Sequence, residues 1–285
     1  MNLSTDKLSS IANAKPISGV NKQLTPLAAE QLAANRGEGW HITNLAAESM
    51  LQMLQIVEFG TLNGQEALES GIVNMNNVAS YNCAAITGST ASLGNTTGHA
   101  TSTIGEINGT RTTYTNAGQR AISYRGMENP WGNIWRMIGG VNIVGNGYDN
   151  GGRPYLCQDF NYTTTTGDNY RYIGFMLPSI YDWVSGFGYN KPDYDWVFLP
   201  AECVGANSAV PIGDNLWTTA SLNGTNTAMI GGAWSFGDNC GPFYYALEKN
   251  INSYARAYSA RLMFIPTKNA IYTANYNDWK AKMGG

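Results

Sequence analysis

Aromatic, Arg and short polar residues crowd into one stretch near the C-terminus, and these types are equipped for recognition rather than for bond making. Between Gly231-Gly-Ala-Trp234 and Ala260-Arg-Leu-Met-Phe-Ile265 lie Ser235, Phe236, Asp238, Asn239, Tyr244, Tyr245, Leu247, Ser253, Tyr254, Arg256 and Tyr258. The segment shows neither a helical nor a strand period. Rigid amphipathic rings give contact area at low entropic cost, and Arg adds bidentate or stacking contacts. Short polar side chains supply adaptable hydrogen bonds. These residues form the candidate ligand-binding set, held between two flanks that read as buried structure.

Catalytic chemistry finds less support. Cys83, Cys157, Cys203 and Cys240 lie far apart with no CxxC pair, and they read as buried thiols rather than disulfides. The two histidines, His41 and His99, are also far apart, and His41 beside Trp40 reads as a packed or capping residue. No Ser–His–Asp set, P-loop or dinucleotide fingerprint appears. Asp193 and Asp195 read as solvated turn residues, so neither a metal nor another cofactor is expected. A net charge of −3 without a basic run gives no reason to expect nucleic acid. The apolar runs are too short to span a bilayer, so no membrane insertion is expected. The opening residues, Met-Asn-Leu-Ser-Thr-Asp-Lys, lack the apolar stretch of a secretion signal.

The elements that must position the segment are legible in outline. A chain of 285 residues makes one large domain or two ordinary ones. Charged residues are only 13%, against 33 Gly, 17 Tyr and 8 Trp, which fits a loop-rich globular protein. Residues 1–26 read as an arm or the stub of a longer chain. A first helix is predicted from Pro26 to Asn35, ended by Gly37-Glu-Gly39. A second runs from Asn44 to Phe59, with Ala47, Met50, Leu51, Leu54 and Val57 as its apolar stripe and Gly60 as its stop. Asn63-x-x-Glu66 opens a short third helix that ends before Gly71. Thr87 to Gly118 reads as exposed hairpins or loops. In Tyr124-Arg-Gly-Met-Glu-Asn-Pro-Trp-Gly-Asn-Ile-Trp135, Pro130 fixes a turn, Gly132 permits close backbone approach, and both tryptophans anchor a core. Helices followed by many short strands and long loops predict an α+β domain.

That Tyr124–Trp135 segment resembles the mid-domain turn of the formylglycine-generating-enzyme branch of the C-type lectin fold. Gly231-Gly-Ala-Trp234 and Ala260-Arg-Leu-Met-Phe264 resemble its closing strands, and the Trp40–Gly71 region is similar to the helical portion in phage tail proteins and retroelement variable proteins. The resemblance implies a C-type-lectin-like domain over residues 37–266, with two to three helices, short antiparallel strands and long loops. Residues 1–36 would be an N-terminal arm and first helix serving assembly, and 267–285 a C-terminal tail. It further implies a non-enzymatic receptor-binding protein with a sequence-variable face, on a virion tail or a bacterial cell surface. The partner would be a host cell-surface protein or glycan, and the assembly a homotrimer. Adenine-directed variation would leave Trp234, Glu248, Lys249 and Met263 as fixed scaffold. Two alternatives stand beside this reading: a structural tail or assembly protein without a ligand, and a divergent formylglycine-generating-type oxidoreductase. That chemistry uses a nearby cysteine pair at one copper ion, and only Cys240 lies in the corresponding region.

Overall fold

The computed structural model describes residues 1–19, 23–75, 83–105, 109–147, 151–188, 193–204, 212–219 and 221–266. The expected tail, 267–285, lies outside the described residues. The protein is α+β, with three α-helices and many short strands. Helix α1 spans Pro26–Ala34: the Thr25 side chain accepts from the Ala28 N–H, and Pro26 occupies a first-turn position where no N–H is needed. Strand β1, Trp40–Ile42, leads into α2, Leu45–Phe59. Asn44 caps α2 by accepting from Ala47 N at 2.9 Å, and Gly60 ends it in the left-handed region at φ 67°. Asn63 Oδ1 accepts from Glu66 N at 3.1 Å and opens the short α3, Gly64–Ala67.

The apolar stripe of α2 does not face the core. Its buried residues are Leu45, Glu48, Ser49, Gln52 and Gln55, whereas Met50 is 53% and Val57 84% exposed. Specific partners explain the inversion. Glu48 accepts from Thr43 Oγ1 at 2.9 Å and from Arg136 Nη2 at 3.1 Å. Gln52 Nε2 donates to Pro242 O at 2.6 Å and to Tyr245 Oη at 3.1 Å. A buried polar group with its partners in place is tolerated, and the bonds of Glu48 and Gln52 Nε2 hold this face inward, although Ser49 Oγ, Gln52 Oε1 and Gln55 Oε1 are buried without a hydrogen-bond partner.

Five short strands follow: β2 (Gly98–Ala100), β3 (Ser102–Thr103), β4 (Thr113–Tyr114), β5 (Ala121–Tyr124) and β6 (Met127–Glu128). They form a β2-β5-β6 sheet and a β3-β4 hairpin. The Thr87–Gly118 region is not wholly exposed as expected, because Ile104 enters a small core with Ile72, Met75, Cys83, Ala85 and Ala121. The main sheet uses β7 (Trp135–Asn146), β8 (Arg153–Cys157), β9 (Tyr170–Tyr172), β10 (Asp182–Gly188) and β11 (Leu199–Cys203). It also uses β12 (Asn215–Trp217), β13 (Asn223–Ile230), β14 (Tyr245–Ala246) and β15 (Tyr258–Ser259). Its order is β11-β10-β12-β14-β13-β7-β8-β9, with β15 alongside β7. Pairing is antiparallel except for β12 with β14 and β15 with β7, which are parallel.

Side chains alternate across a strand, and this sheet carries a core on each side. Ile138, Ile143, Leu216, Ile230 and Tyr245 enter one. Trp135, Met137, Met229, Tyr244 and Ala246 enter the other. Trp131 and Trp135, 1% and 2% exposed, are core as expected. At Gly132, φ is 69° and a Cβ would lie 2.6 Å from Ile72 O, so the turn requires glycine. Both flanks depart in part from expectation. Trp234, in the first, is only half-buried, while Phe264 and Ile265, in the second, are 51% and 38% exposed. For the second flank the reason is placement: among the described residues β16 (Leu262–Phe264) pairs with β1 alone, in a separate two-stranded sheet.

Residues 1–19 are tied to the domain rather than projecting from it. Leu8 is 3% exposed. Backbone bonds join Leu8 N to Leu32 O, Asn13 N to Thr87 O and Gly19 N to Ala255 O, each at 2.9 Å. Among the described residues no helix is long and apolar enough to cross a membrane. No disulfide joins the four cysteines; Cys83 and Cys240 are buried, but Cys157 and Cys203 only partly so.

Candidate recognition face

The C-terminal segment leaves β13 through Gly231 and Gly232, both at positive φ. A side chain at Gly232 would collide with the Cys240 sulfur, so the turn folds tightly over that thiol. The chain then makes one 3-10 turn, Gly237–Asn239, before entering the sheet as β14. This path brings Phe236 against Trp217 at the end of β12, with ring centroids 5.2 Å apart. Phe236 also meets Trp135 at 5.5 Å and Tyr244 at 5.9 Å. Tyr181, half exposed, packs edge-on against Trp217 at 5.8 Å. Asn239 Nδ2 donates to its hydroxyl at 3.2 Å. Lys249 places its ammonium 5.1 Å from the Trp217 ring centroid and pairs with Glu248.

The result is a run of rings reaching from core to surface, with Trp135 and Tyr244 at its base and Trp217, Phe236 and Tyr181 at its rim. Burial, then the neighbouring Tyr181, pushes the Tyr244 phenol far above its usual range. Burial and then Glu248 push the Tyr258 phenol up to about 12. Both phenols are therefore neutral hydrogen-bonding groups at physiological pH. The face offers stacking area, one cation over an aromatic ring and the hydroxyls of Tyr181 and Tyr258, while the Tyr244 phenol lies buried beneath it.

The expected residues separate into distinct groups. Ser235 and Asp238 are exposed, and Phe236, Asn239 and Tyr258 are half-buried around this face. Tyr254, 44% exposed, and Arg256, also exposed, lie farther along with half-buried Ser253, on the side where Gly19 approaches Tyr254. Tyr244, Tyr245 and Leu247 are each 0% exposed, which corrects their assignment as surface contacts. They sit in or beside β14, a central strand whose two faces are both covered. Sequence reasoning missed Tyr181 and Trp217, which come from distant segments and carried no local signal. Glu248 and Lys249, read as scaffold, belong to the face itself. His41 is packed, with Nδ1 2.7 Å from Glu30 Oε1 and its ring stacked 4.4 Å from that of Phe160.

Two ionisable groups lie beneath the face. Cys240 is fully buried, and burial, then the nearby Asp214, raises its pKa well above the usual thiol range. It is held as a neutral thiol, which is a poor nucleophile and a poor metal ligand. Asp214 is also buried and its pKa is raised by burial; its Oδ2 accepts from Phe243 N at 2.6 Å. Among the described residues no three His, Cys, Asp or Glu side chains come together as a metal-binding group. No protein-family model matches the chain, and no curated protein matches it at a significant level.

Proposed function

We propose that this protein is a ligand-binding protein of C-type-lectin-like fold, whose C-terminal segment presents a sequence-variable face for attachment to a host cell surface. The carrying observation is the aromatic face, in which Phe236 meets Trp217 and Tyr181 with Lys249 over the indole. Such faces draw most of their binding energy from a few aromatic and cationic anchors set on a rigid support. Here the support is the main sheet, and the anchors stand beside polar positions that can change without disturbing a core. A partner carrying apolar and hydrogen-bonding groups, protein or glycan, would fit this chemistry. The proposed setting is a phage tail or the surface of a cell carrying a diversity-generating retroelement. The reading takes the chain as a binding protein and assigns it no catalytic step.

The burial of Tyr244, Tyr245 and Leu247 favours the structural reading for that part of the segment alone. The test pairs attachment with stability. Trp217→Ala and Lys249→Ala should each weaken attachment of the purified protein to host cells about tenfold or more, since about 1.4 kcal/mol already gives that factor. Melting temperature should change little in Lys249→Ala. Unchanged attachment with a lowered melting temperature in both variants would return the face to the scaffold.

A further inference from the structure

A second cleft, of about 680 Å³, lies outside the C-terminal segment: none of its lining residues falls between 231 and 258. We infer that it binds a short neutral oligosaccharide. Its volume falls within the range of small-molecule sites, about 300–1,000 Å³. Tyr162, Tyr194 and Trp196 supply aromatic walls, and Gln158, Arg171 and Asp193 supply a polar rim. A pyranose ring presents one apolar C–H face and a girdle of hydroxyls. Aromatic faces match the first, and planar amide, guanidinium and carboxylate groups match the second.

The walls are held in place before any ligand arrives. Tyr162 packs directly on the β7 backbone, where a Cβ at Gly139 or Gly140 would lie 2.5 or 2.6 Å from its ring. Tyr194 is only 9% exposed and belongs to the main core. Trp196 Nε1 donates to Asp193 O at 3.1 Å, and its ring lies 6.4 Å from that of Tyr194. Pre-set walls lower the ordering cost of binding. At one end the cleft meets the first turn of α2 at Leu45 and Ala46.

The charge pattern selects among ligands. Arg171 and Asp193 contribute one charge of each sign, so the rim does not favour a polyanion such as a nucleotide. The cleft is open to solvent and mixed in polarity, which does not suit an acyl chain. A neutral sugar fits both conditions. This inference is independent of the attachment face and stands or falls apart from it.

Saturation-transfer NMR and tryptophan fluorescence test it on the whole protein, with maltotriose, cellotriose and chitotriose at millimolar concentration and AMP as the anionic comparison. At least one sugar should bind and AMP should not. Trp196→Ala and Arg171→Ala should each weaken that sugar at least tenfold. Arg171 is exposed, so its variant should keep the wild-type melt and remain informative if Trp196→Ala folds poorly. Trp217→Ala, on the other face, should leave sugar binding unchanged. Absence of binding by all three sugars, preference for AMP, or sugar binding that survives Arg171→Ala in a folded protein would overturn the inference. So would loss of sugar binding in Trp217→Ala alone.

Discussion

Residues 243–247 and 252–258 are both rich in tyrosine, yet the fold treats them in opposite ways. Phe243, Tyr244, Tyr245, Ala246 and Leu247 are each at most 1% exposed, whereas Tyr254 is 44% exposed. The difference lies in the sheet. Strand β14 runs between β12 and β13 with a core on either side, so successive side chains are buried whichever way they point. Residues 252–257 cross outside the strands, between the Asn226–Asn250 bridge and the short β15. Residue type did not sort the two stretches. Their position relative to a two-sided sheet did, and the proposed recognition segment therefore contains its own foundation.

The largest expected effect falls on the buried stretch. Tyr245→Ala should cost about 3–5 kcal/mol, as other large-to-small aromatic core changes do. A chemical-denaturation midpoint close to wild type would break the contrast between the stretches. Asp214 pins the same stretch through Phe243 N, and it gives a pH signature. The folded carboxyl titrates well above its usual range because it is buried. The folded state thus holds it neutral, while the unfolded chain ionises it above about pH 4. Its contribution to stability is full below about pH 4 and is lost as pH rises toward the folded pKa, at up to about 1.4 kcal/mol per pH unit. Asp214→Asn should flatten stability measured between pH 4 and pH 8. An unchanged slope would mean that the carboxylate is accommodated in its charged form.

Effects on the exposed stretch should be smaller in stability and larger in binding. Tyr254→Ala should keep unfolding free energy within about 0.5 kcal/mol of wild type, as exposed substitutions do. Its attachment to host cells should weaken if this flank extends the face. A clear stability loss without loss of attachment would place Tyr254 with Tyr245 instead. The smallest effect is expected at Val57, 84% exposed on α2. Val57→Lys should leave the melt unchanged within about 0.5 kcal/mol, although the spacing of the stripe marks it as core.

That last position shows where sequence reading stops. The helix limits were legible because caps are local: Thr25, Asn44 and Asn63 each bond an amide three residues on. Trp131, Gly132 and Trp135 were legible because a tight turn beside large rings has few other uses. The orientation of α2 was not, since it depends on Arg136 and Pro242, which lie far along the chain. Half of the proposed recognition face was hidden for the same reason. Phe236 and Asn239 lie in the segment that attracts attention, but Trp217 and Tyr181 reach it only through strand order. Tyr244 and Tyr245 looked like surface anchors because nothing local distinguishes a central two-residue strand from a loop.

The central claim, that an exposed variable face stands on a fixed buried frame, is tested most directly by sequencing many natural copies of this gene from one population. Substitutions should concentrate at Ser235, Phe236, Asp238, Asn239, Ser253, Tyr254, Arg256 and Tyr258, and should spare Tyr244, Tyr245 and Leu247. Changes spread evenly along the gene, or as frequent at the three buried positions as at the exposed ones, would contradict it.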